Sequence, residues 1–310
     1  MQITETRPAA PAAAPTAAAP SPLRIWLDGH VTSAEAARAS PLAHGLHYGT
    51  GVFEGVRCYR TARGPAIFRL DAHLERMRRG AEHLAMPFDL DAMARGALEV
   101  VAANGLEDAY LRPLSYYEAG GLGLDVAPLT PRHLVAAMPW KSHLGDPGAR
   151  GVRLRTSSIR RITAAAVPAL KFCGIYVNSI LAKLEAVRAG YEEALFVDER
   201  GFVCEATGEN VFLVKHGRVV AVQHPDALPG ITRATILELS GGIERPVSLE
   251  ELRDADEIFL TGTSAEVAAV GTFDDRDVGI GPITRELAAT YQALVHGETS
   301  ERAEWRTLVR

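Results

Sequence analysis

Cysteine is scarce in this sequence. Three residues, Cys58, Cys173 and Cys204, stand among 310. An odd count without the close pairing of a metal site argues against both a disulfide framework and a zinc-binding module, and fits a reducing cytoplasm better than secretion. Aromatic residues are only 6% of the chain. No apolar run approaches the length needed to cross a bilayer. There is no excess of positive charge either: the net charge is −5 and the pI is about 6.1, which argues against nucleic acid or an anionic membrane as partner. No internal repeat is visible. What is present, 47% hydrophobic and 23% charged residues, is the composition of a globular protein long enough for two domains.

The first residues differ from the rest. The stretch "RPAAPAAAPTAAAPSP" (7–22) is alanine and proline without periodicity, and its prolines interrupt any helix. It lacks the basic start and leucine-rich centre of a signal peptide. Residues 1–21 are therefore expected to be a disordered arm. Beyond it, 71–85 keeps Leu74, Met77, Ala81 and Leu84 on one face, with Asp71 as the expected N-cap. Further helices are expected over 90–104, 231–241 and 282–296. "AYLRPLSYY", "HLVAAMPW", "GVRLRTSS" and "DEIFLTG" read as strands, and Gly217 falls in a hairpin. The Gly, Pro and Asp content of 141–150 marks an interdomain loop. It separates a smaller unit, 22–140, from a larger one, 151–310. Strands and helices mix without regular βαβ alternation, so the expected fold class is α+β.

Five stretches carry chemistry. In "ALKFCGIYVNSILAKLEA" (169–186) an apolar approach ends in Lys171, and Tyr176 follows five residues on at the mouth of an amphipathic helix. A surface lysine is the plain reading; an amine that forms a Schiff base with a carbonyl cofactor is the other. In "LPGITRATILEL" (228–239), Pro-Gly precedes a helix whose first N–H groups, of Ile231 and Thr232, can face one anion. "FLTGTSAE" (259–266) offers hydroxyls and amides after a strand, and "FRLDAH" places Arg69 before a helix. In "VCEATGENVF" (203–212), Glu205 and Glu209 sit in an apolar β stretch, where a carboxylate is costly without a cationic partner.

Seven motifs, "HGLHYGTGVFEGVRCY", "FRLDAHLERM", "AYLRP", the lysine–helix segment, "EATGEN", "LPGITR" and "LTGTSAE", occur in the order and spacing of branched-chain amino acid aminotransferases. Over about residues 24–300 the chain resembles these fold-type-IV (class IV) pyridoxal phosphate enzymes. The resemblance implies a two-domain α+β fold with the active site between the domains, pyridoxal 5'-phosphate as cofactor, no metal, and a cytoplasmic homodimer or higher homo-oligomer. It implies that Lys171 holds the cofactor as a Schiff base and then shuttles a proton, while Tyr176 meets the phenolic oxygen and Glu205 the pyridine nitrogen. Arg69, Ile231, Thr232 and Thr263 match the phosphate set, with Glu209 orienting Arg69. Tyr110 and the Thr263–Ser264 backbone look like the α-carboxylate binders, and Arg112 the residue for the distal carboxylate of glutamate or 2-oxoglutarate. Tyr48, Phe53, Leu124 and Trp140 would wall the apolar pocket, with Tyr48 and Leu124 reaching in from a partner subunit.

The chain departs from the pattern at Phe172, Cys173 and Ile175, at Ala206 and Thr207, and at His143, where a tyrosine is common. These departures bear on substrate preference. The alternatives are another fold-type-IV activity (D-amino acid transaminase, (R)-amine transaminase or aminodeoxychorismate lyase) and a catalytically silent cofactor-binding protein. "YLRP" and "VFEGVR" favour the transaminase of hydrophobic L-amino acids.

Overall fold

A computed structural model describes residues 23–118, 120–140 and 150–310. The expected arm over 1–21, His143 and nearly all of the interdomain loop lie outside the described residues.

The first half is built as β1 (Arg24–Leu27), β2 (His30–Ser33), α1 (His44–Tyr48), β3 (Gly51–Phe53), β4 (Val56–Thr61), β5 (Gly64–Phe68), α2 (Leu70–His83), α3 (Leu90–Ala103), β6 (Ala109–Tyr117) and β7 (Pro131–Pro139). The second half continues with β8 (Val152–Thr156), α4 (Tyr176–Arg188), β9 (Glu193–Val197), β10 (Val203–Ala206), β11 (Asn210–Lys215), β12 (Arg218–Val222), α5 (Ile231–Ser240), β13 (Ile243–Arg245), α6 (Leu249–Arg253), β14 (Glu257–Gly262), β15 (Glu266–Phe273), β16 (Arg276–Asp277), α7 (Pro282–Val295) and β17 (Arg306–Leu308). The fold is α+β, as the irregular alternation implies. The first sheet runs β17-β5-β4-β6-β7-β1-β2, with β3 on β6, and is antiparallel throughout. The second runs β10-β9-β8-β15-β14-β11-β12-β13, and is mixed because β8 lies parallel to both β9 and β15. The chain's last strand, β17, pairs with β5, so residues 306–308 return to the sheet of the first half.

Each sheet has its own core. Leu70, Leu74, Met77 and Ala81 of α2 join Met93, Ala97, Val100 and Val101 of α3 and Trp26, Val56 and Leu111 of the first sheet. Val211, Leu213, Ile258, Leu260, Ala268 and Val270 centre the second. The Lys215–Arg218 hairpin turns through His216 and Gly217, both at positive φ, where glycine carries no steric cost.

One cap differs from expectation. Helix α2 starts at Leu70, and Arg69, not Asp71, is its N-cap, at φ 54°. The Arg69 N–H is taken by the Trp305 carbonyl at 2.7 Å, so the tail near the C-terminus fixes where the helix begins. Asp71 falls in the first turn, where a carboxylate meets the positive end of the helix dipole.

Candidate active site

Lys171 lies on a loop laid against β3. The Phe53 N–H donates to the Lys171 carbonyl (3.2 Å), the Cys173 N–H to Gly51 (2.8 Å), and the Gly174 N–H to Gly49 (3.2 Å), with a bridge between Val52 and Phe172. Gly49 makes this approach possible: it sits at φ 67°, and a Cβ there would come within 2.5 Å of the Gly174 Cα. Phe172 and Ile175, two of the departures, pack into the first core, so their apolar character anchors a segment of the second half to the first. Tyr176 is the first residue of α4. Its hydroxyl receives a hydrogen bond from Lys171 Nζ at 2.6 Å, and its ring meets Phe53 edge-on at 4.8 Å.

Lys171 opens on a cleft lined by Gly55, Arg76, Tyr110, Gly208, Asn210, Leu228 and two small-residue segments, Gly230–Thr232 and Thr261–Ser264. These segments form a cup. Helix α5 begins at Ile231 behind Gly230, and no side chain caps it, so its first amides remain available to an anion. Thr232, Thr263 and Ser264 add hydroxyls, and the buried Thr261 Oγ1 has no hydrogen-bond partner among the described residues. One guanidinium, a bare helix start and a group of hydroxyls suit a phosphate dianion. The orphaned Thr261 oxygen is what such a ligand, or water it brings, would satisfy.

The cation of the cup is Arg76, and the expected Arg69 is elsewhere. Arg69 stacks its guanidinium on Trp305 at 4.1 Å, in the surroundings of Glu238, Tyr291, Arg302 and Glu304, and burial lowers its pKa. As a left-handed N-cap held by the Trp305 carbonyl it cannot share the face that α2 presents to the cleft. Arg76, two turns into the helix, is buried on that face. The expected pairing of Glu209 with Arg69 falls with it. Glu209 is buried beside Gly262 and close enough to Glu193 to raise that carboxyl's pKa, after burial itself.

Glu205 lies in β10 and is buried. Its Oε1 accepts from Arg161 Nε at 2.7 Å and its Oε2 from the Leu228 N–H at 2.9 Å. Burial pushes its pKa up against the pull of Arg161 and Lys171. Thr207, another departure, donates its hydroxyl to Glu193 at 2.5 Å, which in turn pairs with Lys183 at 2.6 Å. That ties the loop after Glu205 to α4. Ala206 is a buried strand residue whose N–H donates to the Glu209 carbonyl.

Tyr110 lines the cleft, and Arg112, outside that lining, shares its face of β6, as strand alternation requires. Arg112 Nη2 donates to the Tyr110 hydroxyl at 3.1 Å. Tyr110 stacks on Trp140 at 4.6 Å, and Arg112 lies 4.8 Å from the Phe53 ring. Gly55 makes room: a Cβ there would stand 2.0 Å from the Tyr110 oxygen. Cys173 adjoins Gly51, and burial pushes its thiol up to about 11. Tyr48 and Leu124 do not line this cleft. Both are exposed, and the Tyr48 hydroxyl donates to the Leu122 carbonyl at 2.8 Å.

Sequence reasoning missed Arg76, Arg161 and the Glu54–His73 pair beside Arg76. Glu54 had a signal: a carboxylate inside the apolar "GVFEGV" needs a cation close by. The unpartnered Thr261 had none, being one more small residue in a strand.

The lysine, the cup and the buried carboxylate define a class. Residues 51–272 match the family amino-transferase class IV, and the chain belongs to that family. It is 39% identical to the branched-chain-amino-acid aminotransferase of Pseudomonas aeruginosa over 298 residues, covering 92% of this chain and 97% of the relative. Among solved structures it is similar to the T.th. branched-chain amino acid aminotransferase with pyridoxamine 5'-phosphate, at TM-score 0.90 and 41% identity over 94% of this chain and 99% of the other. The same enzyme complexed with N-(5'-phosphopyridoxyl)-L-glutamate gives TM-score 0.89 and 40% identity over the same shares.

Proposed function

We propose that this chain is a pyridoxal 5'-phosphate-dependent transaminase of branched-chain or related hydrophobic L-amino acids, with 2-oxoglutarate and glutamate as the acceptor–donor pair. The observation that carries the reading is the 2.6 Å contact of Lys171 Nζ with the Tyr176 hydroxyl at the mouth of a cleft that ends in an anion cup. Pyridoxal 5'-phosphate, when bound, supplies an aldehyde for the amine and a ring that withdraws electrons from the substrate's Cα.

The remaining work falls to side chains. Lys171 Nζ is the amine that anchors the aldehyde, and once released it is the base that takes the Cα proton. Tyr176 holds the lysine nitrogen in place and is the assigned donor to the phenolic oxygen. Glu205 is the carboxylate assigned to the proton on the ring nitrogen. Arg76, Ile231, Thr232 and Thr263 are assigned to the phosphate. Tyr110 with the Thr263–Ser264 backbone orients the α-carboxylate, and Arg112 at the rim takes a distal carboxylate. The aromatic wall of Phe53 and Trp140 accepts an aliphatic chain, which lets one pocket serve both substrates.

A homodimer completes this reading. Val177, Ile180, Leu181, Leu184 and Val187 are all exposed along one face of α4, a stripe of the kind that marks an association surface. Exposed Tyr48 and Leu124 are then the residues a second copy brings to the pocket. Light scattering on the purified chain tests this, and a monomer would leave the stripe and both residues unexplained. A cytoplasmic location fits the three free cysteines, and among the described residues no helix is long and apolar enough to cross a membrane.

Substrate class is tested by a panel of donors and acceptors in both enantiomers. Leucine, isoleucine and valine should react with 2-oxoglutarate in their L forms. Turnover confined to D-amino acids or (R)-amines would assign one of the other class IV activities.

A further inference from the structure

A cluster of deeply buried ionisable groups lies one layer behind the cup. Glu54 has no exposed surface, and His73 and Arg76 are nearly as inaccessible. The Glu54 carboxylate accepts from Arg76 Nε (2.7 Å) and Nη2 (2.9 Å), from His73 Nδ1 (2.8 Å), and from the Gly55 N–H (3.2 Å). Arg76 Nη1 donates to the carbonyl of Pro229 at 2.9 Å, immediately before the Gly230 that opens the cup. A guanidinium has five N–H donors. Three are engaged here, and the remaining two are left for whatever enters the cup. His73 is absent from the cleft lining.

Burying three such groups costs more than an apolar patch of similar volume would, so their presence at this one place calls for a role other than packing. Glu54 can only accept, so the nitrogen that His73 turns toward it carries the proton. Burial lowers the His73 pKa despite Glu54, and Nδ1–H is the donor that faces Glu54. We propose that His73 is a positioning residue for the cofactor phosphate: its Nδ1–H locks the Glu54 carboxylate, and the carboxylate fixes the plane in which Arg76 presents its two free N–H groups to the cup. The proposal rests on the reading of that cup as the phosphate site. It adds that the small-domain residues Glu54 and His73, which touch no ligand, set how tightly the phosphate is held.

The test compares pyridoxal 5'-phosphate with pyridoxal, which has the aldehyde and lacks the phosphate. Affinities of the full-length chain for each are read from the absorbance of the adduct with Lys171. His73→Phe removes the N–H and keeps a ring; His73→Leu is the second variant should the larger ring prevent folding. Either should weaken pyridoxal 5'-phosphate about tenfold, the worth of one hydrogen bond to a charged group, and leave pyridoxal unchanged. His73→Asn, whose amide can place a donor where Nδ1 stands, should restore most of the loss. Arg76→Met is the reference. If Arg76→Met fails to alter the preference for the phosphorylated form, the cup reading falls. If Arg76→Met alters it while the His73 variants weaken both compounds equally, or neither, the positioning role alone is overturned.

Discussion

Two glutamates lie buried beside the cleft, outside its lining, and they are buried in different ways. Glu54, behind the phosphate cup, accepts three side-chain hydrogen bonds, and the guanidinium of Arg76 and the imidazole of His73 outweigh burial to hold its carboxyl well below the usual range. Glu205, at the lysine end, has one guanidinium and one backbone N–H, and there burial wins and the pKa rises. A saturated carboxylate is a fixed strut. An undersupplied one in a dry site gains from a further cation, because an opposite charge within about 4–6 Å favours the ionised form. The contrast fits the proposed function, with Glu54 given to geometry and Glu205 to chemistry.

The largest effect belongs to neither. Lys171→Ala should abolish turnover while the cup still retains cofactor, since no other amine among the described residues bonds to Tyr176. Borohydride reduction followed by mass spectrometry checks it: a pyridoxyl adduct on any residue but Lys171 would sink the assignment. Next come the two glutamates. Glu205→Gln should fold normally, keep its cofactor and slow turnover about a hundredfold or more, the scale of losing a preorganised electrostatic partner. Glu54→Gln should do the reverse. It leaves Arg76 buried with a weakened partner, which costs up to about 3–5 kcal/mol of stability, and it loosens the cofactor ahead of the chemical step. Thermal denaturation together with single-turnover rates of both variants decides, and identical profiles would erase the distinction drawn between them.

A narrower break is available on the substrate wall. Arg112 meets Tyr110 and faces Phe53, and in the proposed function only a substrate with a second carboxylate uses it. A charge-assisted hydrogen bond contributes about 1.5–3 kcal/mol, so Arg112→Met should weaken 2-oxoglutarate by about ten- to a hundredfold. Half-reactions with leucine, isoleucine or valine should be nearly untouched. Equal damage to both halves, measured separately, would place Arg112 on the α-carboxylate or in the fold.

Much of this site is legible in the sequence because its parts are local. A lysine five residues before a helix start, a glycine ahead of an uncapped helix, and two strand residues on one face each follow from short-range backbone periodicity. The strands "AYLRPLSYY" and "DEIFLTG" and the helices near 70, 90, 231 and 282 are placed to within a residue or two for the same reason. What spacing cannot supply is pairing between distant segments. Arg161 reaches Glu205 across 44 positions, and Arg76 reaches Pro229 across 153. The return of β17 to the first sheet is non-local in the same sense. Exposed Leu124 and Tyr48 take a place at the pocket only in the proposed homodimer, which no spacing in one chain reveals.

The smallest effect separates the two arginines of "FRLDAHLERM". Both stand in one motif, and the position just ahead of the helix favours Arg69, yet the backbone reverses that choice. With its N–H bound to Trp305 and its φ positive, Arg69 points its guanidinium onto the Trp305 ring. Arg76 is instead carried by the helix onto the buried face. Arg69→Gln therefore removes only a half-exposed cation–π contact, worth about 0.5–1 kcal/mol. The melting temperature should fall by a few degrees at most, of order 2–4 °C per kcal/mol for a protein of this size. Affinity for pyridoxal 5'-phosphate and its ratio to pyridoxal should not move. If Arg69→Gln shifted that ratio as Arg76→Met does, the phosphate would be held by both arginines, and the left-handed turn at residue 69 would have to open when the cofactor binds.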